Sequence, residues 1–414
     1  DGTTDQYGHG THVAGIIAGT GSRSSGAGYS ETFSGIAPAA KIVSLRVLDQ
    51  NGSGTDADVI SAINTAIQLK SKYNIRVINL SLGRPVFESY AQDPLCQAVE
   101  RAWNAGIVVV VAAGNYGRAA ATNGYGTITA PGNDPYVITV GAMKDNGTPQ
   151  RNDDTIASYS SKGPTLFDHI IKPDLVAPGN RIVSVDAPGS YFEHVPSTNI
   201  AQNAYTIQGA SAVSTSYRIM SGTSMAAPVV SGAVALMLQQ SPALTPDQVK
   251  VRLMESASKS FPAFSTATDP QTGVTYTSQY DAFTVGAGYL DINAALSDTN
   301  LTHGPALSPA AKFNSNGNVT MVIAPGSAFA NSIMWGASVS KAESIVWGAN
   351  VVNSNSLLWG ASILWGTNTD HGFSILWGAS SDSSSSILWG ANGDNSTSIL
   401  WSASDLTTLA NGEN

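Results

Sequence analysis

Gly222-Thr-Ser-Met-Ala-Ala-Pro228 is the stretch on which the fold turns. Its serine opens a run of small apolar residues that predicts a helix from about Ser224 to Gln239. A serine hydroxyl is a weak nucleophile alone and needs a neighbouring base. At a helix N-terminus it also gains unpaired backbone N–H groups and partial positive charge, both suited to a developing oxyanion. Working outward, Gly8-His9-Gly10-Thr11-His12-Val13-Ala14-Gly15 puts a histidine at the start of another small-residue helix. Ala112-Ala-Gly-Asn115 ends an apolar strand with a carboxamide. Base, oxyanion donor and nucleophile therefore stand in the order His9, Asn115, Ser224.

Taken together, GHGTHVAG, VINLSLG, AAGN and GTSMAAP resemble the motifs of the subtilisin-like serine proteases, over roughly residues 1–297. Asp174-Leu-Val-Ala-Pro-Gly179 and Gly286-Ala-Gly-Tyr-Leu-Asp-Ile-Asn-Ala-Ala295 extend the match. The resemblance implies a serine endopeptidase acting on proteins or peptides, in a secreted or cell-surface bacterial setting. It also implies an aspartate on a first strand some thirty residues before the histidine. Only eight residues precede His9, so the chain reads as a fragment, with the triad aspartate and any signal peptide or propeptide expected upstream. Asp1 and Asp5 are unsuited to the role, because they lie on the approach to the same helix as His9.

The chain has 414 residues, enough for a large core and two or three units. Charged residues are 12%, against about 25% in typical domains. The net charge of −9 argues against a nucleic-acid-binding surface. A single cysteine, Cys96, rules out a disulfide within the chain. The longest apolar run, near residues 106–114, is far too short to span a bilayer.

Lys41–Leu48, Arg76–Leu82, Ile107–Ala113, Tyr136–Ala142 and Ile182–Val185 read as buried strands of a parallel sheet. Ala57–Tyr73 and Leu95–Asn104 read as helices between them, and Thr245-Pro-Asp-Gln248 carries the marks of a capped helix start. The alternation predicts a doubly wound α/β domain with a mostly parallel sheet and helices on both faces. Sites in such sheets lie beyond the carboxyl ends of the strands, where Ser81 and Asn115 fall. Ala187–Tyr217 is a polar excursion, a hairpin near the cleft or a tolerated insertion. Residues 298–330 read as a linker.

Residues 331–404 repeat a Ser-Ile-Leu-Trp-Gly-Ala template seven times, with tryptophans at 335, 347, 359, 365, 377, 389 and 401. Every gap is a multiple of six, which predicts short strands alternating with polar turns and stacked into a β-type region. That region either buries its tryptophans or presents them to a polysaccharide or cell-surface partner. Residues 405–414 form a tail.

Within the first unit, Ser224 is the candidate nucleophile, His9 the general base and Asn115 the oxyanion donor. The esterase elbow Gly-x-Ser-x-Gly is not met, since Ala226 stands where its second glycine belongs. His12 sits one turn beyond His9 without the i, i+4 spacing or third ligand of a zinc site, and reads as a packed helix residue. Gly52-Ser53-Gly54 and Ser81-Leu82-Gly83 resemble the segments that pair with an extended peptide in the family. Ala112, Ala113, Gly114 and Gly132 resemble walls of an uncharged, roomy primary pocket, and Thr223 adjoins the nucleophile. No cofactor is implied; a structural calcium is compatible with the family, but Gly19–Phe33 lacks its asparagine-containing loop. Two rivals remain. The sedolisin type would carry acidic residues where His9 and Asn115 stand. A catalytically decayed surface protein would use the tryptophan repeat alone.

Overall fold

The computed structural model describes residues 4–301, 303–313, 319–331, 363–364, 375–376, 399–401 and 406–413. In chain order the elements begin with α1 (His9–Ala18), β1 (Ser53–Thr55), α2 (Asp56–Tyr73), β2 (Val77–Leu80), α3 (Pro94–Asn104), β3 (Val108–Ala112) and β4 (Ile138–Lys144). They continue with β5 (Thr155–Ile156), β6 (Leu175–Pro178), β7 (Ile182–Val185), β8 (Asn199–Ala201), β9 (Val213–Met220), α4 (Thr223–Gln240) and α5 (Pro246–Ser256).

The central sheet runs β2–β3–β4 in parallel, and β6 joins β4 in parallel as well. The short β5 pairs antiparallel with the end of β4. β3 is the run Val-Val-Val-Val-Ala, buried at every position, as a strand covered on both faces must be. The α4 helix packs along β2, β3, β4 and β6 and against α1. The chain after α1 also approaches α4 closely: Gly232 lies so near Ile36 that a methyl there would clash. The predicted helices α2 and α3 form with caps from Thr55 and Asp93. Before α5, Thr245 and Gln248 close a reciprocal capping box.

Three expectations are corrected. Lys41–Leu48 forms no strand among the described residues, and Ile42, Val43 and Leu45 are 46%, 41% and 37% exposed. Apolar content alone does not make a strand; a ladder partner is needed, and among the described residues β2 pairs only with β3. Ile182–Val185 is a strand, but of a separate antiparallel sheet ordered β7–β9–β8. The parallel partner of β4 is instead Leu175–Pro178, within the Asp174–Gly179 motif. Within 298–330, read from the sequence as a linker, the described residues pack against the domain. Ala306 and Phe329 are buried in an apolar cluster with Phe283, and a hairpin forms from Ala310–Phe313 and Val319–Val322. The Ala and Ser residues that suggested a linker pack closely here.

Asp174 ties this addition to the sheet. Its carboxylate contacts Lys172 at 2.7 Å and Lys250 at 3.3 Å, accepts the Thr139 N–H at 2.7 Å, and takes the Ser308 hydroxyl at 2.5 Å. Burial pushes this carboxyl up, but the two ammonium groups outweigh it and hold it below the usual range. Burial lowers Lys250 to about 7 despite Asp174 beside it.

Most of the tryptophan repeat lies outside the described residues. Within it, Ile363–Leu364 pairs in parallel with Ile375–Leu376, one twelve-residue period on. Two strands of one hairpin cannot pair this way.

Candidate active site

The carboxyl ends of β2 and β3 and the N-termini of α1 and α4 supply the site. Ser224 is the second residue of α4 and is 3% exposed. Its hydroxyl lies 3.5 Å from the Ser81 carbonyl oxygen. In return the Ser81 hydroxyl donates to the Ser224 carbonyl oxygen at 2.7 Å. Asn79 donates to the Ser81 hydroxyl at 2.9 Å and accepts from Ser231 at 2.8 Å. These polar groups lock the first turns of α4 onto β2, fixing where the nucleophile points.

Asn115 follows Gly114 at the end of β3. Its carbonyl oxygen accepts from the Thr223 N–H at 2.9 Å and the Thr223 hydroxyl at 3.0 Å. That hydroxyl also receives the Gly114 N–H at 3.1 Å. With the oxygen held, the carboxamide N–H₂ is turned the other way, toward Gly222. A Cβ built on Gly222 would sit 3.3 Å from Asn115 Nδ2, and its φ of 148° also favours glycine. Here the sequence pattern Gly-x-Ser has a physical reason: a side chain would crowd the donor.

His9 opens α1 and is 3% exposed. Its Nε2 is buried without a hydrogen-bond partner among the described residues. Burial lowers its pKa to about 4, against the pull of Asp5. The Asp5 carboxylate is engaged elsewhere. It accepts the Gly8 N–H and the Thr11 N–H, each at 2.7 Å, and so closes the start of α1. His12 is fully buried, and its Nε2 lies 3.1 Å from the Ile182 carbonyl and 3.2 Å from that of Arg218. Burial and His9 lower it to about 3. No cluster of metal-ligating side chains occurs among the described residues.

These shifts give a pH dependence of stability. In the unfolded chain both histidines take protons below about 6.5, while the folded chain resists until about 4 and 3. Stability is thus complete above pH 6.5 and falls as pH drops, by about 1.4 kcal/mol per unit for each histidine. The raised carboxyl of Asp134 acts in the opposite sense. Subtraction isolates the histidine part: in urea titrations at pH 7 and 5, His12→Asn should show the smaller pH loss. Equal losses in both proteins would contradict the assignment.

The proposed substrate segments lie around these groups. Ser81 and Leu82 are buried, and the chain after Gly83 bridges to Ala130 through Arg84 N–H to Ala130 O (3.0 Å) and Ala130 N–H to Arg84 O (2.9 Å). Ala112, Ala113, Gly114 and Gly132 are close-packed around Thr129, with no charged side chain among them. Gly52 has φ 73°, and a Cβ there would lie 2.5 Å from the Tyr7 ring, two residues before His9. The loop before β1 and the loop of the base therefore touch.

Two contributions escaped the sequence. Arg84 is 3% exposed and reaches Asp56 at 2.9 Å and Asp93 at 2.8 Å, joining the start of α2, next to Ser53–Thr55, to the start of α3. A lone arginine after Ser81-Leu82-Gly83 gives no sequence signal for this. The excursion 187–217 backs the loop of the base: Tyr191 N–H bonds Gln6 O at 2.8 Å, and Phe192 meets the Tyr7 ring edge-on at 4.9 Å. Phe192 is an apolar anchor in a polar segment, which hydropathy averages hide.

The subtilase family, Peptidase S8, matches residues 1–288. The chain belongs to the subtilase family. Serine protease AprX of Bacillus subtilis is 43% identical to this subtilase over 260 residues, which is 62% of this chain and 54% of AprX. Subtilisin DY of Bacillus licheniformis is 33% identical over 70% of this chain and 78% of its own length. The solved structure of sphericase shares 30% identity, with a TM-score of 0.50 over 69% of this chain and 78% of its own. The match thus spans about half the length of AprX. No helix of this subtilase among the described residues is long and apolar enough to cross a membrane.

Proposed function

We propose that the protein is a serine endopeptidase that cleaves protein or peptide substrates through an acyl-enzyme on Ser224. The observation that carries the reading is the Asn115 carboxamide, held by Thr223 and turned toward Gly222 at the N-terminus of α4. The Ser224 hydroxyl attacks the scissile carbonyl carbon while His9, neutral above about pH 4, takes its proton. The carbonyl oxygen gains negative charge and is met by Asn115 Nδ2 and the Ser224 N–H. His9 then returns the proton to the departing amine. Water repeats the sequence and releases the acid. No cofactor takes part. An extracellular setting follows from the family resemblance.

An extended substrate adds as a strand to Gly52–Gly54 on one side and Ser81–Gly83 on the other, held by backbone hydrogen bonds. The uncharged walls at Ala112–Gly114 and Ala130–Gly132 favour a large apolar residue before the scissile bond. Cleavage of a random peptide library is expected to yield products ending mainly in Leu, Phe, Tyr or Met. A profile led by Lys, Arg or Glu would overturn the pocket assignment.

A further inference from the structure

The groove proposed for substrate already holds a strand. Ile399–Trp401 pairs antiparallel with β1, placing Trp401 opposite Ser53, Leu400 opposite Gly54 and Ile399 opposite Thr55. Four residues further along the chain, a short helix (Leu406–Asn411) and the two residues after it dock at the head of the nucleophile helix. The Ser221 N–H donates to the Leu409 carbonyl at 2.9 Å. Leu409 is fully buried, and its Cδ2 and Asn115 Nδ2 would each lie 3.3 Å from a Cβ on Gly222.

Glu413 fixes the end of this segment and is 1% exposed. Its carboxylate accepts the Ser158 N–H at 2.8 Å, bonds the Ser158 hydroxyl, and pairs with Arg118 at 3.1 Å. Asn180 grips its backbone from both sides, accepting the Glu413 N–H and donating to its carbonyl, each at 2.8 Å. These carboxylate contacts all fall on Oε1, while Oε2 is buried without a hydrogen-bond partner among the described residues, so the ion pair with Arg118 and the two-sided grip of Asn180 on the backbone hold the segment.

We infer that the C-terminal segment of this chain is a tethered occupant of its own substrate groove, anchored by Glu413, and that it blocks Ser224 until displaced. The inference rests on reading Gly52–Gly54 and the α4 N-terminus as the substrate groove. Two observations carry it: the segment adds to β1 as a strand, and it covers Gly222 beside the oxyanion donor. Tethering strengthens such a contact, since a segment of the same chain binds without loss of a second molecule's freedom.

The test uses the full chain carrying Ser224→Ala, so that nothing is hydrolysed, and a fluorescein-labelled peptide of residues 399–413. The tail occupies its own site, so the peptide should not bind. With Leu409→Asp and Glu413→Gln added to detach the tail, the peptide should bind saturably, and Arg118→Ala should weaken it about tenfold or more. Equal binding to attached and detached chains, or binding to neither, would overturn the inference. Hydrogen exchange gives a second measure: the Ser221 amide should be protected in the full chain and lose protection in the Leu409→Asp variant. Unchanged protection would also overturn it. In the chain with Ser224 intact, detaching the tail should raise fluorophosphonate labelling about tenfold. Absence of labelling in both forms would instead count against the peptidase reading, leaving peptide binding to decide on the tail.

Discussion

Replacing Ser224 by alanine is expected to abolish fluorophosphonate labelling and to lower peptide hydrolysis about 10⁶-fold, a size carried over from a subtilisin. Ser224 is placed by hydrogen bonds running through Ser81, Asn79 and Ser231, and none of these groups can replace its hydroxyl as attacking atom. Asn115→Leu in the same assay should keep labelling at Ser224 but cost about 3 kcal/mol in turnover, again a subtilisin value. The two substitutions thus separate the nucleophile from the group that stabilises its product. Labelling that persists in Ser224→Ala would remove Ser224 from its role.

Asp174→Asn is expected to destabilise the fold by about 3–5 kcal/mol, the usual cost of stranding buried charge. It would leave Lys172 and Lys250, both fully buried, without a counter-ion. Lys250, already lowered to about 7, is the one that would shed its proton and limit the loss. The damage should reach the site as well. Asp174 holds the Thr139 N–H, and the Thr139 hydroxyl donates to the Gly132 carbonyl at 2.6 Å in the pocket wall. Urea unfolding monitored by tryptophan fluorescence would measure the effect. A loss under about 1 kcal/mol would show that the lysines find other partners.

Periodicity and capping made most of the central domain legible. The all-apolar β3, the capping box at Thr245 and the small-residue run of α4 appear where the sequence predicts them. The errors share a cause: pairing is a property of two segments, and one segment read alone does not reveal it. Lys41–Leu48 has the composition of a strand but no ladder partner among the described residues, and Ile182–Val185 pairs in a second sheet. Likewise, the neighbours of His9, Asn115 and Ser224 come from distant parts of the chain. Thr223 holding Asn115 is 108 residues away in sequence, and Glu413 meeting Ser158 is 255 residues away. The residue types of the candidate site are legible in the sequence; the partners that orient them are not.

Arg84 ties together the two sides of the proposed cleft. One guanidinium holds the first residue of α2, directly after β1, and the capping aspartate of α3, while its own backbone bridges to Ala130 in the pocket wall. The two rails proposed for a peptide are therefore joined through one shared side chain. Substitutions in the Gly52–Gly54 rail and in the pocket wall should consequently not add in their effects on substrate preference, because each is felt by the other through the same side chain. Altering selectivity in this protein is a problem of moving both rails together.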